Sequence, residues 1–287
     1  MTCPSPAARL RQILAEPGAL VVPCVHDALT ARMAEQAGFA TIDVESAGSL
    51  AIAYGLSDHG IGNVSDLLGH ARDVSMAVGI PCFADLDDCG GTPLAVARAI
   101  AVASRVGIAG VHVDDIEGGR KGFPGYADVL IDDERARARV RAAIDARGDG
   151  GLVLVARSYA ADPERAWDRL AGFAELGADV LFPVRHDYDA ILARAGRLPR
   201  PLYCVDRRNV APPPALAAAG VKFVMDNDVF QISAKLIRDL LVELRREGFI
   251  AGAEGRSLSW EQFHAVMGTP EAARLAVEYG MLPKTGR

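Results

Sequence analysis

Short apolar runs alternate along the chain with alanine-rich amphipathic stretches. This alternation is typical of βα units arranged around a parallel sheet. The runs predicted to be strands are residues 20–25, 40–45, 81–85, 108–113, 151–156, 179–183, 201–205 and 221–225. Eight strands close a (β/α)₈ barrel, and the 287 residues of the chain lie close to the roughly 250 typical of that fold.

Turn and capping residues mark the ends of the predicted helices. Thr92-Pro93 and Asp162-Pro163 each put a capping side chain before a proline, which indicates a helix start. Glycines just before the next strand predict the opposite ends. These glycines are Gly38, Gly107, Gly177 and Gly220.

Two further helices are predicted after the eighth run, at about residues 231–246 and 259–279. The second has no strand partner, and its apolar residues favour packing on a neighbouring subunit, so we expect a homo-oligomer. The domain prediction is therefore one (β/α)₈ barrel over residues 1–287, with extra C-terminal helices at about 228–282.

Composition and charge exclude several classes of protein. The net charge is -6, and no basic patch with interleaved aromatic residues occurs, so nucleic acid is not an expected partner. The longest apolar stretches, such as residues 18–25, are far shorter than the roughly 20 residues of a membrane span. The N-terminus does not resemble a secretory signal, which predicts a cytoplasmic location. The five cysteines form no CxxC pair and are expected to be free thiols.

Polar residues follow almost every predicted strand, where a barrel of this kind carries its chemistry. Helix capping explains Asp27, Asp206 and Asp226. In "FADLDDCGG" two carboxylates, Asp85 and Asp87, lie two apart at a strand end.

The next strand adds Asp114 in "VHVDD" to this pair. Adjacent strands lie about 4.8 Å apart, so the three carboxylates predict a shared Mg²⁺ site, with Mn²⁺ as the alternative. An acidic rim without an ion remains the competing interpretation.

Arg157 ends the fifth strand and predicts anion binding, or else a salt bridge to one of these carboxylates. The glycine-rich segment "IEGGRKGFPGY" after Asp115 reads either as a mobile loop over the strand ends or as a plain surface loop.

Several motifs together resemble one known family. "VVPCVHDALTARMAEQAGFATIDVESAG", "GLSDHG" and "ADLDD" are similar, in order and spacing, to the N-terminal segment, the GLPD-type loop and the ADxDxG metal motif of one superfamily. This is the isocitrate lyase and phosphoenolpyruvate mutase superfamily, in its methylisocitrate lyase and phosphonopyruvate mutase branch. The resemblance implies a barrel whose last helix is swapped between the subunits of a dimer or tetramer.

The resemblance also implies roles for individual residues. Asp85, Asp87 and Asp114 would hold the metal, Asp58 would be an acidic residue near the site, and Arg157 would bind the distal anionic group. The carboxylate of a small 2-oxo or 2-hydroxy acid would bind at Ser46 and the neighbouring amides, which adds Ala47 and Gly48 to the expected substrate site.

The chain departs from the family pattern at the positions that would carry out acid/base chemistry and at neighbouring strand ends. Gly122 and Pro124 stand where the lyase KxCGH loop has its cysteine and histidine, and Ser158-Tyr159 replaces Thr-Asp. Val184 stands where a glutamate is usual, and Val205 where an asparagine is expected.

Three functions remain open at this point. The first is a lyase, aldolase or decarboxylase that cleaves or forms a carbon–carbon bond through an enolate stabilised by Mg²⁺. The second is a phosphorus–carbon mutase or hydrolase, with Arg157, Arg185, Arg120 and Lys121 around a phosphoryl group. The third is a barrel that binds a metabolite without catalysis or serves a specialised pathway.

For the first function, the candidate acids are Tyr126, Tyr159, His186 and Cys89. His186 is also an expected substrate contact. Cys89 reads more simply as a small buried residue.

Overall fold

The computed structural model describes residues 4–118, 121, 123, 125–149, 151–205 and 214–283. Eight parallel strands form a closed barrel in sequence order, which confirms the predicted fold class. Each strand falls at a predicted apolar run. The strands are β1 Leu20–Val25, β2 Ile42–Val44, β3 Cys82–Asp85, β4 Gly110–Asp114, β5 Val153–Ser158, β6 Val180–Pro183, β7 Leu202–Val205 and β8 Val221–Asp226.

One helix precedes the first strand, and the others follow the strands along the chain. They are α1 Pro6–Ala15, α2 Ala28–Gln36, α3 Ser46–Tyr54, α4 Val64–Ser75, α5 Pro93–Arg105, α6 Asp133–Arg147, α7 Pro163–Leu176, α8 Tyr188–Leu192 and α9 Ala215–Ala218. The predicted caps are present: the Thr92 side chain accepts from the Ala95 amide, and the Asp162 side chain from that of Arg165. Gly177 closes α7 at φ 108°, a left-handed conformation that glycine adopts without a Cβ clash.

Strand alternation divides the apolar residues into two layers. On β3, Ala84 faces the helices while Phe83 faces the barrel interior, and the next interior position is Asp85. The interior layer also contains Leu10 of α1, a helix that the sequence analysis did not predict. Leu10 lies so close to Gly110 of β4 that a Cβ there would be 3.0 Å from a Leu10 methyl carbon.

The chain forms two compact units, residues 1–230 and residues 231–287. The helix α10, Asp228–Glu247, begins in the first and continues into the second, which also contains α11 Ala253–Arg256, α12 Trp260–Val266 and α13 Thr269–Glu278. The single helix predicted over residues 259–279 is therefore wrong. Gly268, at φ 72°, and Pro270 at the start of α13 separate it into two.

The single-domain prediction and the swapped, oligomeric arrangement stay predictions. Within the described residues, none of the helices has the length and apolar character that a membrane crossing requires. Four cysteines, Cys24, Cys82, Cys89 and Cys204, are buried thiols that form no disulfide among the described residues, whereas Cys3 lies outside the described residues.

Candidate metal and active site

Three buried carboxylates meet at the carboxyl ends of β3 and β4. Asp85, Asp87 and Asp114 each offer an oxygen, and these oxygens lie within 4.8 Å of one another. The local backbone explains the convergence. The Asp87 amide donates to Asp85 Oδ1 at 3.0 Å, and Asp87 adopts φ 52°, a left-handed conformation that aspartate tolerates better than most residues.

Arg157 on β5 binds two of these carboxylates at once. Its Nη1 and Nη2 donate to the two oxygens of Asp85 at 2.8 and 3.0 Å, and Nη2 also donates to Asp114 Oδ2 at 2.8 Å. Its Nε donates to the other oxygen of Asp114. The strand register accounts for this, because Arg157 is directly opposite Asp114. Of the two predicted roles for Arg157, the structure contains the salt bridge, and binding of a distal anion stays a prediction.

Lys121 brings a second positive charge to the cluster from the segment after β4. Its Nζ donates to Ser46 Oγ at 2.6 Å and to Asp58 Oδ2 at 3.0 Å, lies 3.6 Å from Asp85 Oδ2 and pairs with Asp87. The Ser46 hydroxyl lies 3.2 Å from an oxygen of Asp58 and from one of Asp85. Ser46 and Asp58, both predicted site residues, thus join the carboxylates. From the sequence, Lys121 was a candidate only for contact with a phosphoryl group.

The charges of this cluster favour a bound cation. Burial raises the pKa of Asp87 to about 7, with Asp85, Asp58 and Asp114 adding to the effect against Lys121. Burial also raises the pKa of Asp114. Burial acts in the same direction on Asp85, but the charges of Arg157 and Lys121 hold its pKa below the ordinary value.

A charge count leads to the same conclusion. When all four carboxylates of the cluster are ionised (Asp58, Asp85, Asp87 and Asp114), the two cations Lys121 and Arg157 leave two negative charges uncompensated. Buried charges require compensation, and carboxylate oxygens are the ligands that a hard divalent cation takes. The residues present therefore fit Mg²⁺.

The helix α3 starts beside the carboxylates. It begins at Ser46, so the amides of Ser46, Ala47 and Gly48 belong to the first turn, where N–H groups have no partner within a helix. Such a turn is suited to an anion. Gly48 permits the close packing here, because a Cβ at this position would be 2.8 Å from the Cβ of His26.

Glu45 precedes this turn and was not among the predicted site residues. It is buried, its side chain does not cap α3, and its Oε1 has no hydrogen-bond partner. Burial raises the pKa of Glu45 to about 8, and Asp43 and Asp85 raise it further against Lys121. Glu45 therefore holds its proton to a higher pH than an ordinary carboxyl group does.

Three polar residues without a sequence signal form a further buried layer, each of them one interior position earlier on its own strand than Glu45, Asp114 or Val205. Asp43 Oδ2 accepts from the Tyr203 hydroxyl and lies 2.7 Å from His112 Nε2. All three side chains are buried. No sequence signal links them, because they come from β2, β4 and β7.

The remaining predicted residues divide between the site and other places. Tyr159 belongs to the site, since its hydroxyl accepts from Arg157 Nη2 at 2.9 Å. Tyr126 is 78% exposed, so its side chain is not buried with the carboxylates. His186 is also away from this network: its Nε2 lies 2.9 Å from the Ala160 carbonyl, and its ring packs on Trp167. Cys89 Sγ contacts the His112 carbonyl and is a buried thiol.

Other strand-end carboxylates have structural partners. Asp27 caps α2, and Asp226 accepts from the Asp228 amide, as the capping interpretation predicted. Asp115 accepts from Ser158 Oγ at 2.8 Å and pairs with the buried Arg169. The sequence positions Arg120, Gly122, Pro124 and Asp206 lie outside the described residues.

Comparison with known proteins gives a consistent result. The model of the phosphoenolpyruvate phosphomutase family matches residues 10–244. A 2-methylisocitrate lyase from Shewanella oneidensis is 31% identical over 177 residues, which are 61% of this chain and 61% of that protein. The chain thus spans about three fifths of the length of this curated relative.

Two solved structures are similar over nearly the whole chain. An oxaloacetate acetylhydrolase in complex with 3,3-difluorooxalacetate has a TM-score of 0.86 and 27% identity, covering 96% of this chain and 97% of that one. A phosphonopyruvate hydrolase in complex with oxalate and Mg²⁺ has a TM-score of 0.83 and 25% identity, covering 96% and 99%.

Proposed function

The chain belongs to the phosphoenolpyruvate phosphomutase family, and from this premise we propose that it is a Mg²⁺-dependent enzyme acting on a small 2-oxo or 2-hydroxy acid. It cleaves or forms a carbon–carbon bond through an enolate, as a lyase, aldolase or decarboxylase. The observation that carries the proposal is the buried triad of Asp85, Asp87 and Asp114, two of whose members are held by Arg157.

The triad would hold the metal, directly or through water, and Mn²⁺ would fit the same oxygens. When bound, Mg²⁺ supplies Lewis acidity that stabilises negative charge on an enolate oxygen. The oxalate and Mg²⁺ present in the phosphonopyruvate hydrolase structure support this assignment.

Residues of this chain would bind and orient the substrate. The first turn of α3, with Ser46 and the amides of Ala47 and Gly48, would bind the substrate carboxylate. Lys121 would add positive charge beside this turn and keep Asp58 and Ser46 in place. Arg157 would fix the orientation of Asp85 and Asp114 through its forked hydrogen bonds.

Tyr159 is the acid that we assign to the enolate carbon. Burial raises the pKa of Tyr159 well above its ordinary value, so the hydroxyl keeps its proton until a strong base forms. In the step, the O–H bond breaks, a C–H bond forms at the enolate carbon, and the negative charge passes to the phenolate. The Arg157 Nη2, 2.9 Å away, would stabilise that phenolate.

Phosphorus–carbon chemistry has weaker support. It needs cations free to surround a phosphoryl group. Arg157 and Lys121 pair with the carboxylate cluster, and Arg185 donates to Asp128 at 2.5 Å.

Turnover and metal binding test the proposal together. The protein is incubated with Mg²⁺ and, separately, oxaloacetate, methylisocitrate or phosphonopyruvate, and pyruvate release is followed. We expect release from a carbon–carbon substrate, its loss with EDTA and its loss in Asp85→Ala. Asp88→Asn is the control, since Asp88 accepts from the Gly90 amide outside the triad.

Two outcomes would overturn the proposal. Turnover of phosphonopyruvate alone would favour the phosphorus–carbon function. Absence of any turnover, with Mg²⁺ binding unchanged in Asp85→Ala, would favour a barrel without this metal chemistry. The cytoplasmic location and the homo-oligomeric state remain predictions, and light scattering of the purified protein would test the second.

A further inference from the structure

The mouth of the barrel is charged on one side and apolar on the other. The interior positions at the carboxyl ends of β3, β4 and β5 carry Asp85, Asp114 and Arg157. Val184 directly follows β6, and Val205 and Met225 are the last interior residues of β7 and β8; all three belong to the interior apolar layer. We call these three residues the apolar wall.

The strand register places the wall one interior position beyond Arg157, at the level of Tyr159, and not deeper in the core. Arg157 is opposite Phe182 across β5 and β6, so Val184, two residues further, lies at the level of Tyr159. Val205 is opposite Met225. The three wall residues keep 9%, 7% and 7% of their surface exposed, whereas Phe223 and Tyr203, one interior position deeper, have none.

Two arginines beside the wall, Arg157 and Arg185, are engaged in ion pairs. The Arg157 guanidinium lies 5.9 Å from the centre of the Phe182 ring and binds Asp85 and Asp114. Arg185 follows Val184 but donates to Asp128, and its guanidinium lies 5.4 Å from the centre of the Tyr159 ring. A charged group against the wall would lose its hydration without gaining an ion pair from these residues.

We infer that the substrate carries an alkyl or otherwise uncharged group on the side away from its carboxylate head, and that the apolar wall binds this group. The inference rests on the proposed function, since the triad and the first turn of α3 set the position of the head. An apolar tail buried against the wall gains about fourfold in affinity per methylene. A carboxylate at the same place would bind more weakly than an alkyl group.

A series of 2-oxo acids tests this with the wild-type protein. Binding of pyruvate, 2-oxobutanoate, 2-oxopentanoate and 2-oxoglutarate is measured by calorimetry with Mg²⁺ present. We expect affinity to rise about fourfold per added methylene, and 2-oxoglutarate, which has a carboxylate in place of the 2-oxopentanoate methyl, to bind at least about tenfold more weakly than 2-oxopentanoate. Equal or tighter binding of 2-oxoglutarate would overturn the inference.

Oxalate separates this inference from the proposed function, because it has a head and no tail. If oxalate fails to bind with Mg²⁺, the proposed function is wrong, and the assignment of the wall as a substrate contact fails with it. If oxalate binds but the tail preference is absent or reversed, only the apolar wall is refuted.

A variant of nearly the same shape tests whether the preference for an alkyl tail arises at the wall. Val184→Thr should weaken 2-oxopentanoate several-fold and leave oxalate unchanged, since only the tail meets the new hydroxyl. Val242→Thr, at a position 57% exposed in the C-terminal unit, is the matched control. Equal loss for both ligands, or no loss for either, would contradict the assignment of Val184. The wild-type series decides the inference even if Val184→Thr folds poorly.

Discussion

Replacing Asp87 by asparagine should stabilise the metal-free protein while abolishing most of its response to Mg²⁺. Asn tolerates the left-handed backbone at this position, where φ is 52°. It keeps the shape of the side chain and removes one of the four carboxylate charges of the cluster. Stability and metal binding should therefore change in opposite directions.

The pKa of Asp87 determines how much stability Asp87→Asn should gain. It rises on folding from 3.8 to about 7, so between these values the folded protein holds a proton that the unfolded chain has released. The free energy of unfolding then falls as pH rises, by about 1.4 kcal/mol per pH unit. Asp87→Asn does not titrate, and its advantage should grow from nothing near pH 4 to about 4 kcal/mol above pH 7.

Urea denaturation from pH 4 to pH 8, with EDTA and then with Mg²⁺, measures both effects. Mg²⁺ at one hundred times its dissociation constant should stabilise the wild type by about 2.7 kcal/mol and the variant by much less. Asp88→Asn is the control, because an amide oxygen can still accept from the Gly90 amide. A variant that is less stable at every pH, or that responds to Mg²⁺ as the wild type does, would refute the reasoning.

Three further predictions concern residues outside the triad. The wild type should lose stability between about pH 4.5 and 8, because the raised pKa of Glu45 keeps a proton on the folded state, and Glu45→Gln should remove this loss. If the wild type and the variant showed the same pH dependence of stability in urea denaturation with EDTA, this prediction would be contradicted. Arg169→Leu strands a buried carboxylate and should cost about 3–5 kcal/mol of stability without changing Mg²⁺ affinity; calorimetry and denaturation check both. Gly110→Ala brings a Cβ to 2.4 Å from the Phe83 ring and should cost about 1–3 kcal/mol, whereas Gly69→Ala meets no atom within 4 Å and should not destabilise the protein in thermal melts.

The sequence predicted the features that repeat or that follow from strand order. Eight apolar runs between capped helices indicated the barrel because each βα unit carries its own local signals. The proximity of Asp85, Asp87 and Asp114 could be predicted, since neighbouring parallel strands place their carboxyl ends side by side. The helix over residues 259–279 was wrong because a single Gly-Thr-Pro step weighed less than the apolar periodicity around it.

What the sequence could not give is the partner of each side chain. Arg157 can bind a substrate anion or pair with a carboxylate of the chain itself. Its pairing with Asp114 follows from the strand register, which places the two residues opposite each other. Lys121 lies on a segment without periodicity, so nothing in the sequence placed its Nζ beside Ser46 and Asp58. Glu45 looked like one more polar residue at a strand end, because burial is a property of the folded chain.

The central claim is that Asp85, Asp87 and Asp114 hold the metal that binds the substrate, and a crystal structure grown with Mg²⁺ and oxalate tests it most directly. We predict one Mg²⁺ ion next to oxygens of these three carboxylates, bound directly or through water, with oxalate chelating the ion and one oxalate end at the first turn of α3. Oxalate bound without an ion, or an ion bound elsewhere, would contradict the account.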